Sequence, residues 1–563
     1  MRFFCFLSFL SLPFLLLAQG DKADWVLRNG KIYTLQSLGQ RAKALAIKGE
    51  RIVFVGSKRK ARKWVGPQTR VLDLKGRTVM PGLTDAHVHP VSGGLSLSEC
   101  DLTGVENIDS MLAMLALFAQ KHPEKAWIRG ENMWLAAFPG GNPNKSLLDR
   151  IIPDRPVFVS SADGHNAWVN SKALALGGID RTTPDPEHGR IERDQATQEA
   201  SGTLREDAMD LVAKLIPPYT DAERLAALRK AIQLANSLGI TNLIEASANR
   251  DLAETYLALE AAGELSAHVN LSLYADVSKG TTGAKTVLAL NESLKNRGRD
   301  LRFNQVKLFM DGVVEGKTAA MLEPYQHESH AGIANAHPDS AKAMILALDK
   351  AGLQVHVHAI GDRGVRMTLD AFENARQRNG IRDARHHIAH LQVIHPDDIV
   401  RFKTLGVTAN FQALWATLED TYMTELNFPF LGETRSEWQY PIGTLARSGA
   451  QLAFGSDWPV STMNPFMAAQ VAVTRRGPDH QVRPPWTPQH LTDIRTVMEG
   501  YAKGGAYLSF RERDCGTLEV GKLADLIVLD RNVFTASVFD IHDILVDLTF
   551  FKGKMVWQRP IKG

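Results

Sequence analysis

Residues 79–89 read Val79-Met80-Pro81-Gly82-Leu83-Thr84-Asp85-Ala86-His87-Val88-His89, a short apolar run that ends on two histidines one residue apart. In an extended strand side chains alternate faces, so His87 and His89 point the same way. Seven more short apolar runs follow, at 240–245, 269–274, 303–309, 353–358, 387–391, 407–411 and 452–455. Each is followed by room for a helix. The helix after Thr220 is the clearest. Thr220 and Glu223 have capping-box spacing, Leu225, Leu228, Ile232 and Leu238 recur near the helical period, and Gly239 ends the pattern. Eight repeated βα units predict an α/β fold, a parallel (β/α)8 barrel of the TIM type.

The gap between the first and second strands is far too long for one crossover, so residues 100–218 read as an insertion covering the barrel mouth. Both ends of the chain have another style. Residues 25–34 form a strand-like run with an Asn29-Gly30 turn signal, 44–56 repeats the idea, and runs 525–530 and 546–556 resume it. This predicts a small composite β-sandwich domain from 21–80 and 514–563, around a barrel over 81–513.

At 563 residues the chain exceeds what one hydrophobic core fills. Its 65 basic and 62 acidic residues are spread evenly, which argues against nucleic-acid or membrane-surface partners. Residues 1–20 stand apart: Met1-Arg2, an apolar stretch from Phe3 to Leu17, then Ala18-Gln19-Gly20. That stretch is shorter than a spanning helix needs and predicts a cleaved signal peptide, hence a periplasmic or secreted protein with no membrane span in its mature form. After removal of Cys5, Cys100 and Cys515 are too few for a thiolate zinc site. Any metal must then be held by histidine, carboxylate or something less usual.

In such barrels the chemistry sits at the C-terminal ends of the strands. Those ends carry His87 and His89 on the first strand, Lys307 on the fourth, His358 on the fifth, His390 on the sixth and Asp457 after the eighth. Imidazole nitrogen and carboxylate oxygen are the donors that a divalent hydrolytic ion takes. Singly, each has an ordinary reading: a hydrogen-bonded core histidine, an edge-strand lysine, a turn aspartate in Gly455-Ser456-Asp457. Lys307, if it points inward, must lose its charge or find a partner. His356 shares a face with His358, which is preferred because it lies nearer the strand end. Trp134, Asp163, His165 and Trp415 are candidate substrate contacts, with Phe138 and Trp458 as further aromatics and Arg475 and Arg476 as groups that could meet an acidic substrate. Packing of the lid, or a solvated helix face, is the ordinary alternative.

Seven segments, 81–89, 163–174, 306–312, 357–362, 387–392, 455–459 and 516–525, together resemble the amidohydrolase superfamily, and within it the family 3 group that includes N-substituted formamide deformylases. The resemblance implies a (β/α)8 barrel with a composite β-sandwich. It implies one or two divalent ions, zinc in the first instance, at His87, His89, His358, His390 and Asp457. Lys307 matches a lysine that some members carry as a carbamate bridging two ions. One departure is visible: where the group usually has Ile-Glu-His on the sixth strand, this chain has Ile388-Ala389-His390.

The function so implied is hydrolysis of a non-peptide, amide-type carbon–nitrogen bond in a small molecule. The ion activates a water, and Asp457 takes a proton from it and later returns one to the leaving nitrogen. A metal-dependent isomerase or lyase on the same barrel, or a noncatalytic scaffold, are the alternative readings. Oligomeric state and substrate identity are not legible.

Overall fold

The eight apolar runs form β1 (Leu83–Val88), β2 (Ile240–Ala248), β3 (His268–Tyr274), β4 (Leu301–Phe309), β5 (Gln354–Ala359), β6 (His387–His390), β7 (Thr408–Phe411) and β8 (Gln451–Phe454). This is a computed structural model, and it describes residues 22–560 apart from 38, 40 and 419–421. The apolar leader read at 1–20 lies outside the described residues. The strands hydrogen-bond in the order β8-β7-β6-β5-β4-β3-β2-β1, each pair parallel. Strands covered on both faces read as near-continuous apolar runs, and every residue of β1, β5, β6 and β7 is buried.

The helices between strands present one apolar stripe to the sheet. Asp362–Asn379 buries Val365, Leu369, Phe372 and Ala375, the spacing of one helical face. Helix Asp221–Ser237 opens on a complete capping box, with Thr220 N donating to Glu223 Oε2 at 2.8 Å and Glu223 N to Thr220 Oγ1 at 3.3 Å.

The ring is drawn together between β8 and β1 by the segment after β8. Asp457 N donates to His87 O at 2.7 Å, and His89 N donates to Trp458 O at 2.9 Å. The approach requires glycine at 455, where a Cβ would lie 2.5 Å from His87 N.

Between β1 and β2 the chain builds a separate six-stranded sheet, in the spatial order 189–193, 200–206, 166–169, 157–161, 128–133 and 100–101. One apolar cluster there centres on Trp168, Leu115 and Phe138, and another on Leu204, Ala173 and Val212. Segments from both ends of the chain share an eight-stranded sheet. In it Thr78–Pro81 pairs antiparallel with Leu526–Leu529, and Trp25–Tyr33 with Arg41–Lys48. Leu45, Ile47, Val79, Leu526 and Phe550 meet in its core. The architecture is an α/β barrel of the TIM type with an additional β domain. Among the described residues no helix is long and apolar enough to cross a membrane.

Candidate metal centre

β1 delivers His87 to the barrel interior, where it is buried, and His89 follows as the N-cap residue of helix Pro90–Ser96. The segment after β8 is fixed against β1 by more than the two backbone bonds above. Ser456 N donates to Asp85 Oδ1 at 2.9 Å, and the Ser456 hydroxyl donates to the same carboxylate. Burial raises Asp85 to about 7 despite these bonds. Asp457 has φ +58° and His390 φ +76°, a left-handed region that side-chain-bearing residues seldom adopt. Such strain persists where the surroundings over-determine it, as functional sites often do.

The side chains converge on Asp457. Its Oδ1 lies 3.3 Å from His87 Nε2 and 3.2 Å from His89 Nε2, and its Oδ2 lies 3.8 Å from His390 Nδ1. His87, His390 and Asp457 each place one donor atom within 4.8 Å of the others. Lys307 Nζ lies 3.3 Å from His87 Nε2. His358 stands beside them with its ring 4.5 Å from that of His390, and its Nε2–H donates to Gly312 O at 3.1 Å.

These residues suit a divalent ion. His390 Nδ1 is buried with no hydrogen-bond partner, a cost that a bound cation would remove. Burial holds His87, His358 and His390 well below the usual imidazole range, so they are neutral lone-pair donors. Burial would raise Asp457, but its histidine surroundings, with His89 against Oδ1, outweigh it and hold it well below the carboxylate range, so it is ionised. Burial pulls Lys307 down to about 7 against the opposing pull of Asp457 and Glu245. His89 is pushed down by burial and up by Asp457 and Glu245, and the carboxylates prevail, at about 9.

Two residues outside the predicted set belong here. His356 Nε2 lies 2.9 Å from His87 Nδ1, and its own Nδ1 lies 3.0 Å from Ser272 Oγ. The Ser272 hydroxyl donates to Gln305 Oε1 at 2.8 Å. That order leaves His356 Nδ1 as donor and Nε2 as acceptor, so His87 carries its proton on Nδ1 and turns a bare Nε2 to the cluster. Glu245, on β2, lies 3.5 Å from His89 Nδ1 and accepts from Tyr256 OH at 2.9 Å. Glu245 closes the apolar run 240–245, so the sequence carried the signal that could have singled it out.

Residues 70–557 match the amidohydrolase family. The chain belongs to the amidohydrolase family. It is 32% identical to protein LONG AFTER FAR-RED 3 of Arabidopsis thaliana, over 96% of this chain and 92% of that one. It is 25% identical to the N-substituted formamide deformylase of Arthrobacter pascens, over 95% and 98%. Among solved structures, a metal-dependent hydrolase of Pyrococcus furiosus matches with a TM-score of 0.70 at 28% identity, over 91% of this chain and 100% of that one. On this membership the chain is a metal-dependent hydrolase.

In this amidohydrolase His358, His390 and Asp457 line a cavity of about 200 Å³, walled by both the barrel and the insertion. Trp134, Asp163 and His165 reach it from the insertion, and Trp415, Met423 and Tyr440 from the barrel side. The Trp415 ring stacks on His390 at 5.5 Å and 7°. His165 Nδ1 lies 2.8 Å from Glu206 Oε2, which leaves Nε2 as its other donor nitrogen. Burial would lower His165, but Glu206 and then Asp163 outweigh it and raise it to about 9. Asp163 Oδ1 also accepts from His165 N at 2.7 Å, so it shapes the loop as well as facing the cavity.

Other aromatics and cations singled out in the sequence are employed elsewhere. Phe138 packs edge-on against Trp168 at 5.1 Å in the core of the insertion. Trp458 is buried against Gly93. Arg475 is buried, donates to Tyr440 O and Gln439 O, and lies 4.6 Å over the Trp486 ring. Arg476 lies over Phe539. No lysine or arginine is among the described residues that line the cavity.

Proposed function

We propose that this amidohydrolase cleaves a non-peptide, amide-type carbon–nitrogen bond in a small molecule that carries an apolar group and no carboxylate. The carrying observation is that His390 and Asp457 of the His87–His390–Asp457 cluster line a cavity with aromatic walls and, among the described residues, no lysine or arginine. His165 on its wall is already paired with Glu206, so an acidic substrate gains no lysine or arginine partner, while Asp163 and Glu315 tolerate a neutral or basic one.

His87, His89, His358, His390 and Asp457 would hold zinc, one or two ions. When bound, the metal supplies a water of lowered pKa and polarises the carbonyl. Asp457 accepts a proton from the attacking water on a carboxylate oxygen and hands it to the leaving nitrogen as the C–N bond breaks. His165, held by Glu206 through Nδ1, offers its Nε2–H to the substrate. Trp415 and Trp134 clasp the apolar group. Lys307 carries a carbamate: its amine adds to CO2, the N–C bond forms and a proton leaves, which puts carboxylate oxygens where a bare ammonium would repel the ion. The apolar leader at 1–20 directs export, so the N-terminus of the secreted or periplasmic form should begin near Gly20 on sequencing.

The test is a panel of N-formyl and N-acyl amines with aryl, alkyl and carboxylate-bearing groups, read by amine release from the zinc-loaded protein. Release from uncharged aryl or alkyl members, lost on chelation, is expected. Preference for the carboxylate-bearing members, or substrate conversion without amine release, would overturn this reading.

A further inference from the structure

Outside the cavity lining, two loops bring the imidazoles of His480 and His542 together. His480 and His542 have ring centres 4.6 Å apart, and Asp543 lies between their outer nitrogens. His480 Nε2 is 3.4 Å from Asp543 Oδ2, and His542 Nε2 is 3.5 Å from Asp543 Oδ1. One donor atom from each of the three residues lies within 4.8 Å of the others.

Both imidazoles are oriented by their inner nitrogens. His542 Nδ1 lies 2.8 Å from Gln470 Oε1, and His480 Nδ1 lies 3.5 Å from Asp540 Oδ1. Each ring therefore turns Nε2 toward the shared carboxylate, the arrangement in which an outer partner fixes the tautomer of a metal-binding histidine. Gln470 is fully buried and holds both loops at once. Its Oε1 also accepts from His542 N at 3.0 Å, and its Nε2 donates to Asp479 O, next to His480, at 2.8 Å. A framework built from the core sets these histidines in place, unlike an incidental surface pair.

The geometry points to a second divalent-metal site, separate from the barrel centre, in which His480 Nε2, His542 Nε2 and the Asp543 carboxylate hold an ion of the zinc class. Two imidazoles and one carboxylate are a borderline donor set, suited to Zn2+ over Mg2+ or Ca2+. The remaining positions face solvent, because His480 is 61% exposed and Asp543 40%. The ion would clasp the segment after helix Pro465–Thr474 to the loop at 537–544. That segment carries Arg475, which anchors the backbone of the cavity residue Tyr440.

The experiment is equilibrium dialysis of the full-length protein against a graded series of free Zn2+, with total metal per chain read by mass spectrometry. Wild type is compared with His480→Ala and Asp543→Asn, both exposed enough to leave the fold intact. Wild type should bind one zinc equivalent more than either variant, and zinc should raise its thermal midpoint further than theirs. Equal uptake by wild type and both variants would overturn the site, whatever the substrate of the barrel centre turns out to be.

Discussion

His356 Nε2 lies 2.9 Å from Nδ1 of His87, with Ser272 and Gln305 behind it. The chain of bonds fixes which nitrogen of His87 is bare. Outer partners of metal-binding histidines typically contribute 10–100-fold to metal affinity. His356→Ala should weaken zinc retention against a competing chelator by about 10-fold or more. Retention equal to wild type would show that the orientation of His87 is set by other means.

Lys307 is buried beside His87 Nε2 and over the Phe309 ring, a place unsuited to a charged ammonium. Lys307→Ala should lower metal content and cut turnover by ~10²-fold or more, the scale of losing one preorganised electrostatic group. Short carboxylic acids should restore part of both by supplying the missing oxygens. Full metal content and activity without them would contradict the carbamate.

How much of this was legible in the sequence depended on the kind of contact. β5 and β6 announce themselves as apolar runs because both of their faces are covered, and the strand-end position of His358 and His390 follows. Asp457 was legible as a strand-end residue, but its meeting with His87 depends on a left-handed backbone and a crossing at Gly455 that periodicity does not encode. Alternation put His356 on the same face as His358, yet whether it faces an ion or another histidine depends on Ser272, which lies far away in the chain. The strands of the insertion are short and pair across distant segments, so only its extent could be read. Arg475 looked like a helix-face residue because the backbone carbonyls that accept from it come from residues 439 and 440, on another element.

Gly93 makes room for the indole that follows Asp457. A Cβ there would lie 2.3 Å from the Trp458 ring. Overpacking of this kind typically costs 1–3 kcal/mol. Gly93→Ala should lower the thermal midpoint and also reduce turnover, because a displaced Trp458 moves its neighbour. A midpoint matching wild type would show that the indole has space to shift.

Asp300 joins the barrel to the terminal sheet through His268 at 3.1 Å and Lys552 at 3.0 Å. Burial would raise its carboxyl, but His268 and Lys552 prevail and hold it at about 2. A carboxylate with a depressed native pKa contributes stability that is present above its unfolded value, ~3.9, and is lost as pH falls through the native one. The stability advantage of wild type over Asp300→Asn should therefore be ~2 kcal/mol near neutral pH and shrink as pH drops from about 5 toward 2. Urea midpoints across that range check it, and a gap independent of pH would contradict the ion pairs as its source.

The proton-transfer role of Asp457 is read from the rate of amine release by zinc-loaded Asp457→Asn, measured beside its metal content. Asparagine keeps the shape of the side chain and cannot accept the proton. The variant should still bind metal but turn over ~10²–10⁴-fold more slowly, the usual contribution of a general acid–base group. A metal-loaded Asp457→Asn protein with wild-type turnover would contradict it.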